Sequence, residues 1–147
     1  MIDAGKAWPS HGLPMLASRI GFIALLLLIA VPANSAPPYD GSKPMQCAIQ
    51  SVMVCSDPSL CVRGTAATID LPAVLSVDVG QRLIGGATAG RTIKITAVNH
   101  EGGRLLLSGT ESGGAWTMAV IEDSGVMTST VIPRNGGFLM FGSCSSN

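Results

Sequence analysis

Four kinds of residue in this chain could do chemistry: His100 beside Glu101, the Gly-rich run Gly85–Thr92, the turn Asp123–Gly125, and four cysteines. A histidine next to a carboxylate can act as a general base. His100 is the single histidine after residue 36, and it falls in a stretch whose composition predicts a turn, where a solvated side chain is the simpler reading. The run Gly85-Gly-Ala-Thr-Ala-Gly90-Arg91-Thr92 has the outline of a phosphate-binding loop with Arg where Lys belongs. Such loops work because their backbone amides open a helix. Here the residues that follow, Ile93–Val98, alternate like a strand, so the run is expected to be a plain turn. Asp123-Ser124-Gly125 lacks the repeated carboxylates that calcium needs and reads as a tight turn closed by glycine. Ser108 and Ser112 flank Glu111 without forming a triad, and no Gly-x-Ser-x-Gly elbow occurs. These residues imply no catalytic set, no metal site and no cofactor.

The cysteines carry a stronger signal. Cys47, Cys55, Cys61 and Cys144 are even in number and follow an export-like segment, which implies two disulfides. Read as one extended strand, Cys47–Cys55 would hold its ends about 26 Å apart at ~3.3 Å per residue, whereas a bridge needs Cα atoms within about 7 Å. The expected pairs are therefore Cys55–Cys61, closing the turn at Asp57-Pro58, and Cys47–Cys144, tying the first strand to the last. Cys47–Cys61 with Cys55–Cys144 is the alternative. Closing most of the domain with Cys47–Cys144 is worth roughly 4 kcal/mol by chain entropy. A four-thiolate zinc site fits poorly, because the intervals of eight, six and eighty-three residues lack the close Cys pairs that zinc sites use.

Ahead of the cysteines lies a leader-like segment. Ile20–Val31 is an uncharged apolar run of 12 residues, preceded by Arg19 and followed by Pro32-Ala-Asn-Ser-Ala36. Basic start, short apolar run and small-residue exit are the parts of a secretory signal. The run is shorter than the roughly 20 residues a helix needs to span a bilayer, so no stable membrane span is expected. The mature start is expected between Asn34 and Pro37. Met1–Pro14 is unlike an export segment, and Met15 is a plausible true start. No cysteine follows the leader directly and no twin-arginine pair precedes it. The organisation is then 1–36, upstream segment and signal; 37–46, an exposed lead-in rich in Pro, Gly and Ser; and 47–147, the disulfide-bonded domain.

From Pro37 onward seven basic residues face eight acidic ones, a net charge of −1. The basic residues are scattered, so there is no footprint for nucleic acid. A unit of this length can bury roughly 60–70% of its unfolded surface.

Strand signals dominate this unit. Candidates include Cys47–Cys55, Thr65–Leu71, Val74–Val79, Arg91–Val98, Leu105–Thr110, Trp116–Glu122, Val126–Ile132 and Phe138–Gly142, separated by Gly-containing turns such as Asn99–Gly103. Spacing of about ten residues predicts an all-β antiparallel meander of seven or eight strands, closed or nearly closed into a barrel, with a two-sheet sandwich as the alternative. Leu105–Leu107, Ala119–Ile121 and Phe138–Phe141 are apolar on both faces, which predicts strands covered on both sides, an interior pocket or a dimer face. Trp116 is expected as a core anchor.

The residues Trp116-Thr-Met, Ser124-Gly125-Val-Met-Thr128 and Phe141-Gly-Ser-Cys144 resemble a pattern of small exported bacterial proteins of unassigned function, in which a Trp strand and a Gly turn precede a closing Gly-x-Cys. Ser108-Gly109-Thr-Glu-Ser112-Gly113-Gly114 resembles, in architecture, the Ser-Gly-rich loop with which periplasmic lysozyme-inhibitor barrels bind an enzyme cleft. The basic or Tyr residue expected after that loop is replaced nearby by Trp116.

Together these features predict an exported, periplasmic or secreted, non-catalytic protein that contacts another envelope protein through its turns Asn99–Gly103, Thr110–Gly114 and Arg134–Gly137. The contact residues would be His100, Glu101, Glu111, Trp116 and Arg134. Two alternatives are a carrier of a small apolar ligand inside the barrel and a hydrolase using His100 and Glu101.

Overall fold

A computed structural model describes residues 36–57, 59–86 and 90–146. The expected signal segment, the start at Met15 and the cleavage region up to Ser35 lie outside the described residues, as do Pro58 and the middle of the Gly-rich run, 87–89. Among the described residues no helix is long and apolar enough to cross a membrane.

The domain is all-β. Ten strands run in chain order: β1 (Met45–Asp57), β2 (Leu60–Gly64), β3 (Val74–Asp78), β4 (Leu83–Gly86), β5 (Thr92–Lys94), β6 (Ala97–Glu101), β7 (Arg104–Glu111), β8 (Gly114–Ile121), β9 (Val126–Ile132) and β10 (Gly137–Ser146). They form one antiparallel sheet in the order β5-β4-β3-β1-β10-β9-β8-β7-β6, with β2 also on β1. The long β1 carries β3 along Met45–Ala48 and β2 along Val52–Asp57, and its ladder with β10 shifts register between Ile49 and Ser51. Both expected disulfides are present, Cys47–Cys144 and Cys55–Cys61. Each joins residues directly opposite one another in neighbouring strands. All four thiols are thereby consumed, which removes the zinc reading.

The sheet wraps around a single core. That core draws on β3 and β4 (Val77, Ile84) near one edge and on β7 (Leu105, Leu107) near the other, with Met45, Met118 and Met127 between them. The two edge strands β5 and β6 are consecutive in the chain. At Ile95–Thr96 the backbone crosses from one edge to the other: Ile95 N–H donates to the Arg82 carbonyl at 2.9 Å, and Thr96 N–H donates to the Ser108 carbonyl at 2.9 Å. The sheet thus comes near to closing without a continuous ladder, and the described residues hold no second sheet to make a sandwich.

Alternation sorts the strands as a one-sided core requires. Leu105 and Leu107, then Trp116, Met118 and Val120, then Met127 and Ser129 are buried, while the residues between them are not. Two of the turns are two residues long, Gly102-Gly103 and Ser112-Gly113, and all four residues have positive φ, the geometry that matches the twist of paired strands.

Five expectations need correction. Thr65–Leu71 is no strand: Ala66–Ile69 forms a 3-10 turn, reciprocally capped by Thr65 and Thr68. Arg91–Val98 is two strands, because the chain changes edge at Ile95–Thr96. Asn99–Glu101 is strand rather than turn, and only Gly102-Gly103 reverse the chain. The lead-in is partly packed, since Met45 is fully buried and Tyr39 packs on the core. Two of the three strands apolar on both faces are not covered on both sides, for Phe141 remains 41% exposed and Ile121 36%, while Leu106 is half-buried.

Candidate functional site

The curl of the sheet leaves a cavity of about 220 Å³. Inward positions of six strands wall it: Leu75 on β3, Ile84 on β4, Ile93 on β5, Trp116 and Met118 on β8, Val131 on β9, and Phe138 and Met140 on β10. The strand period of two puts these side chains on one face, and the curl turns that face upon itself. Ile69 and Leu71, at the end of the 3-10 turn, add apolar surface at one end. Asp70 between them adopts a left-handed conformation, φ 55°, which reverses the chain sharply enough to present both neighbours.

Polar groups at the cavity are few. Arg91 Nε donates to Glu111 Oε1 at 2.8 Å, pinning the start of β5 to the end of β7. The Glu111 carboxylate holds the Arg91 guanidinium above its ordinary value, by hydrogen bond first and charge second. Ser129 is buried and its hydroxyl donates to the Thr117 carbonyl at 2.7 Å. Trp116 is 6% exposed, and its indole N–H has no acceptor among the described residues. The indole lies over Gly109: a Cβ there would sit 2.6 Å from Trp116 Cζ2 and from the Lys94 carbonyl.

The predicted site residues divide between two ends of the sheet. Glu111, the turn Ser112-Gly113 and Arg134 lie together at the end with the Arg91–Glu111 pair, Arg134 beside Gly113. His100, Glu101 and the turn Gly102-Gly103 lie at the opposite end. The three expected contact turns therefore do not form one surface. The pairing of His100 with Glu101 also fails, because adjacent residues of a strand point to opposite faces. His100 Nδ1 instead lies 2.6 Å from Oε1 of Glu122, a buried carboxylate. Sequence reasoning missed Glu122, although counting by twos from Trp116 through Met118 and Val120 places it inward. The Gly-rich run leads into β5 and not a helix, so its amides do not open a phosphate-binding helix.

No family model, curated protein or solved structure matches this chain.

Proposed function

We propose that this chain is an exported, non-catalytic binding protein that holds a small apolar molecule inside the curl of its sheet. The cavity carries this reading: a half-open pocket of about 220 Å³ lined chiefly by aliphatic and aromatic side chains, the form that small-molecule sites take. Export to the periplasm or the exterior is supported by the leader pattern at Arg19–Ala36 and by two disulfides, which persist in oxidising compartments. The test is native mass spectrometry of the protein from its own envelope fraction, followed by solvent extraction. An added small mass that Val131→Phe abolishes supports the reading. A bare mass with no extractable compound, in a protein that also takes up no apolar probe, sinks it.

A second reading, contact with another envelope protein, is favoured by one observation. At the end shared by Ser112-Gly113 and Arg134, Ile132 is 61% exposed, an apolar anchor beside these turns. Crosslinking in the envelope checks it: capture of one discrete protein, lost in Ile132→Asp with the fold intact, would support this use of the turns.

A further inference from the structure

We infer that the cavity selects an uncharged ligand of about one ring with a short alkyl chain, and rejects its carboxylate analogue. This rests on the carrier reading above. Size comes first. A cavity of about 150 Å³ lined by aliphatic and aromatic groups holds benzene, and drug-sized ligands need roughly 300 Å³ or more. This cavity, about 220 Å³, lies between.

Charge comes second. The titratable side chains at the cavity are Arg91 and Glu111, and they neutralise each other at 2.8 Å. A carboxylate that enters would lose its hydration and meet a single wall cation, Arg91, that Glu111 already occupies. Hydrogen bonding comes third. The buried Ser129 hydroxyl already donates to Thr117. The indole nitrogen of Trp116 has under 1 Å² of accessible surface, so it meets no ligand atom as the walls stand. Apart from the Ser112 hydroxyl, in the turn beside Glu111, what remains is apolar contact, with Trp116 and Phe138 as the ring-sized surfaces.

The test uses two probes that differ only at one end, n-butylbenzene and 4-phenylbutyrate, in equilibrium dialysis against the full disulfide-bonded chain. Butylbenzene is expected to bind at least 100-fold more tightly. In Glu111→Gln, which frees the Arg91 charge, the gap is expected to narrow at least tenfold. Equal or tighter binding of phenylbutyrate to the natural chain would overturn the charge argument and leave the carrier reading standing. Failure of both probes to bind would overturn the carrier reading itself, and the present inference with it. A gap that does not change in Glu111→Gln would overturn the role given to the ion pair.

Discussion

Glu122 shows how much one residue depends on its neighbour. It is a carboxylate carried to the inner side of the sheet, with His100 as its side-chain partner at 2.6 Å. His100→Ala leaves that acceptor without its bond, which costs about 1–2 kcal/mol; a lowered urea midpoint with an unchanged slope checks it. Gly109 is set by close approach. Gly109→Ala drives a methyl into the Lys94 carbonyl and the indole of Trp116, an overpacking cost of about 1–3 kcal/mol. Gly90→Ala, with no atom within 4 Å of the added carbon, is expected to be neutral in the same assay. Asp57 gives a pH dependence. The Ser59 hydroxyl and then the Ser59 N–H donate to its carboxylate, at 2.6 Å and 2.8 Å, and hold it below its ordinary value of 3.8. A group depressed in the folded state lends stability that is present above the unfolded value and is lost as pH falls through the folded one. Ser59→Ala should therefore raise the Asp57 pKa, read by carboxyl chemical shifts between pH 2 and 6. A carboxyl that titrates at the same pH in both forms would refute the assignment.

Among the elements, β1 bears the most. It pairs with β10, β2 and β3 at once, and both disulfides start from it. The two bridges differ in setting and in the chain they close. Cys47 and Cys144 are buried and 97 residues apart; Cys61 is exposed and lies 6 residues from Cys55. Replacing Cys47 and Cys144 by Ala is expected to cost about 4 kcal/mol, and replacing Cys55 and Cys61 about 2 kcal/mol, since the entropy removed from the unfolded chain grows with loop length. Under native conditions, dithiothreitol should open Cys55–Cys61 first, because thiolate attack needs access. Timed alkylation and peptide mass mapping read the order directly.

At the scale of the molecule, curvature decides what the domain can hold. Opposite edges of one sheet contribute to one core, and the chain closes the approach at Ile95–Thr96 with a bond to each side. The cavity is a property of that curl and belongs to no single strand. A ligand bound there stabilises the fold by mass action, about 2.7 kcal/mol at one hundred times its dissociation constant. A rise in melting temperature with butylbenzene, absent in Val131→Phe, is the expected result. Much of this architecture was legible beforehand. Alternation and glycine turns announced the meander, and the even cysteines at such spacing announced the bridges. The count of strands was not legible, because β4 is four residues ending in two glycines and β5 three, too short for periodicity to register.

Local rules of sequence carry a good part of this chain: which residues face inward along β7 to β9, that glycine-bearing turns part the strands, and which cysteine pairs suit a bridge. These follow from the two-residue period and from backbone sterics, which act over a few residues. Folding alone brings Thr65–Leu71 over a cavity instead of into the sheet, His100 to Glu122 and not to Glu101, and Arg91 to Glu111. Each joins residues about 20 apart or more, or depends on a surface built by other strands, and such pairings are set by register and curvature that no local pattern encodes.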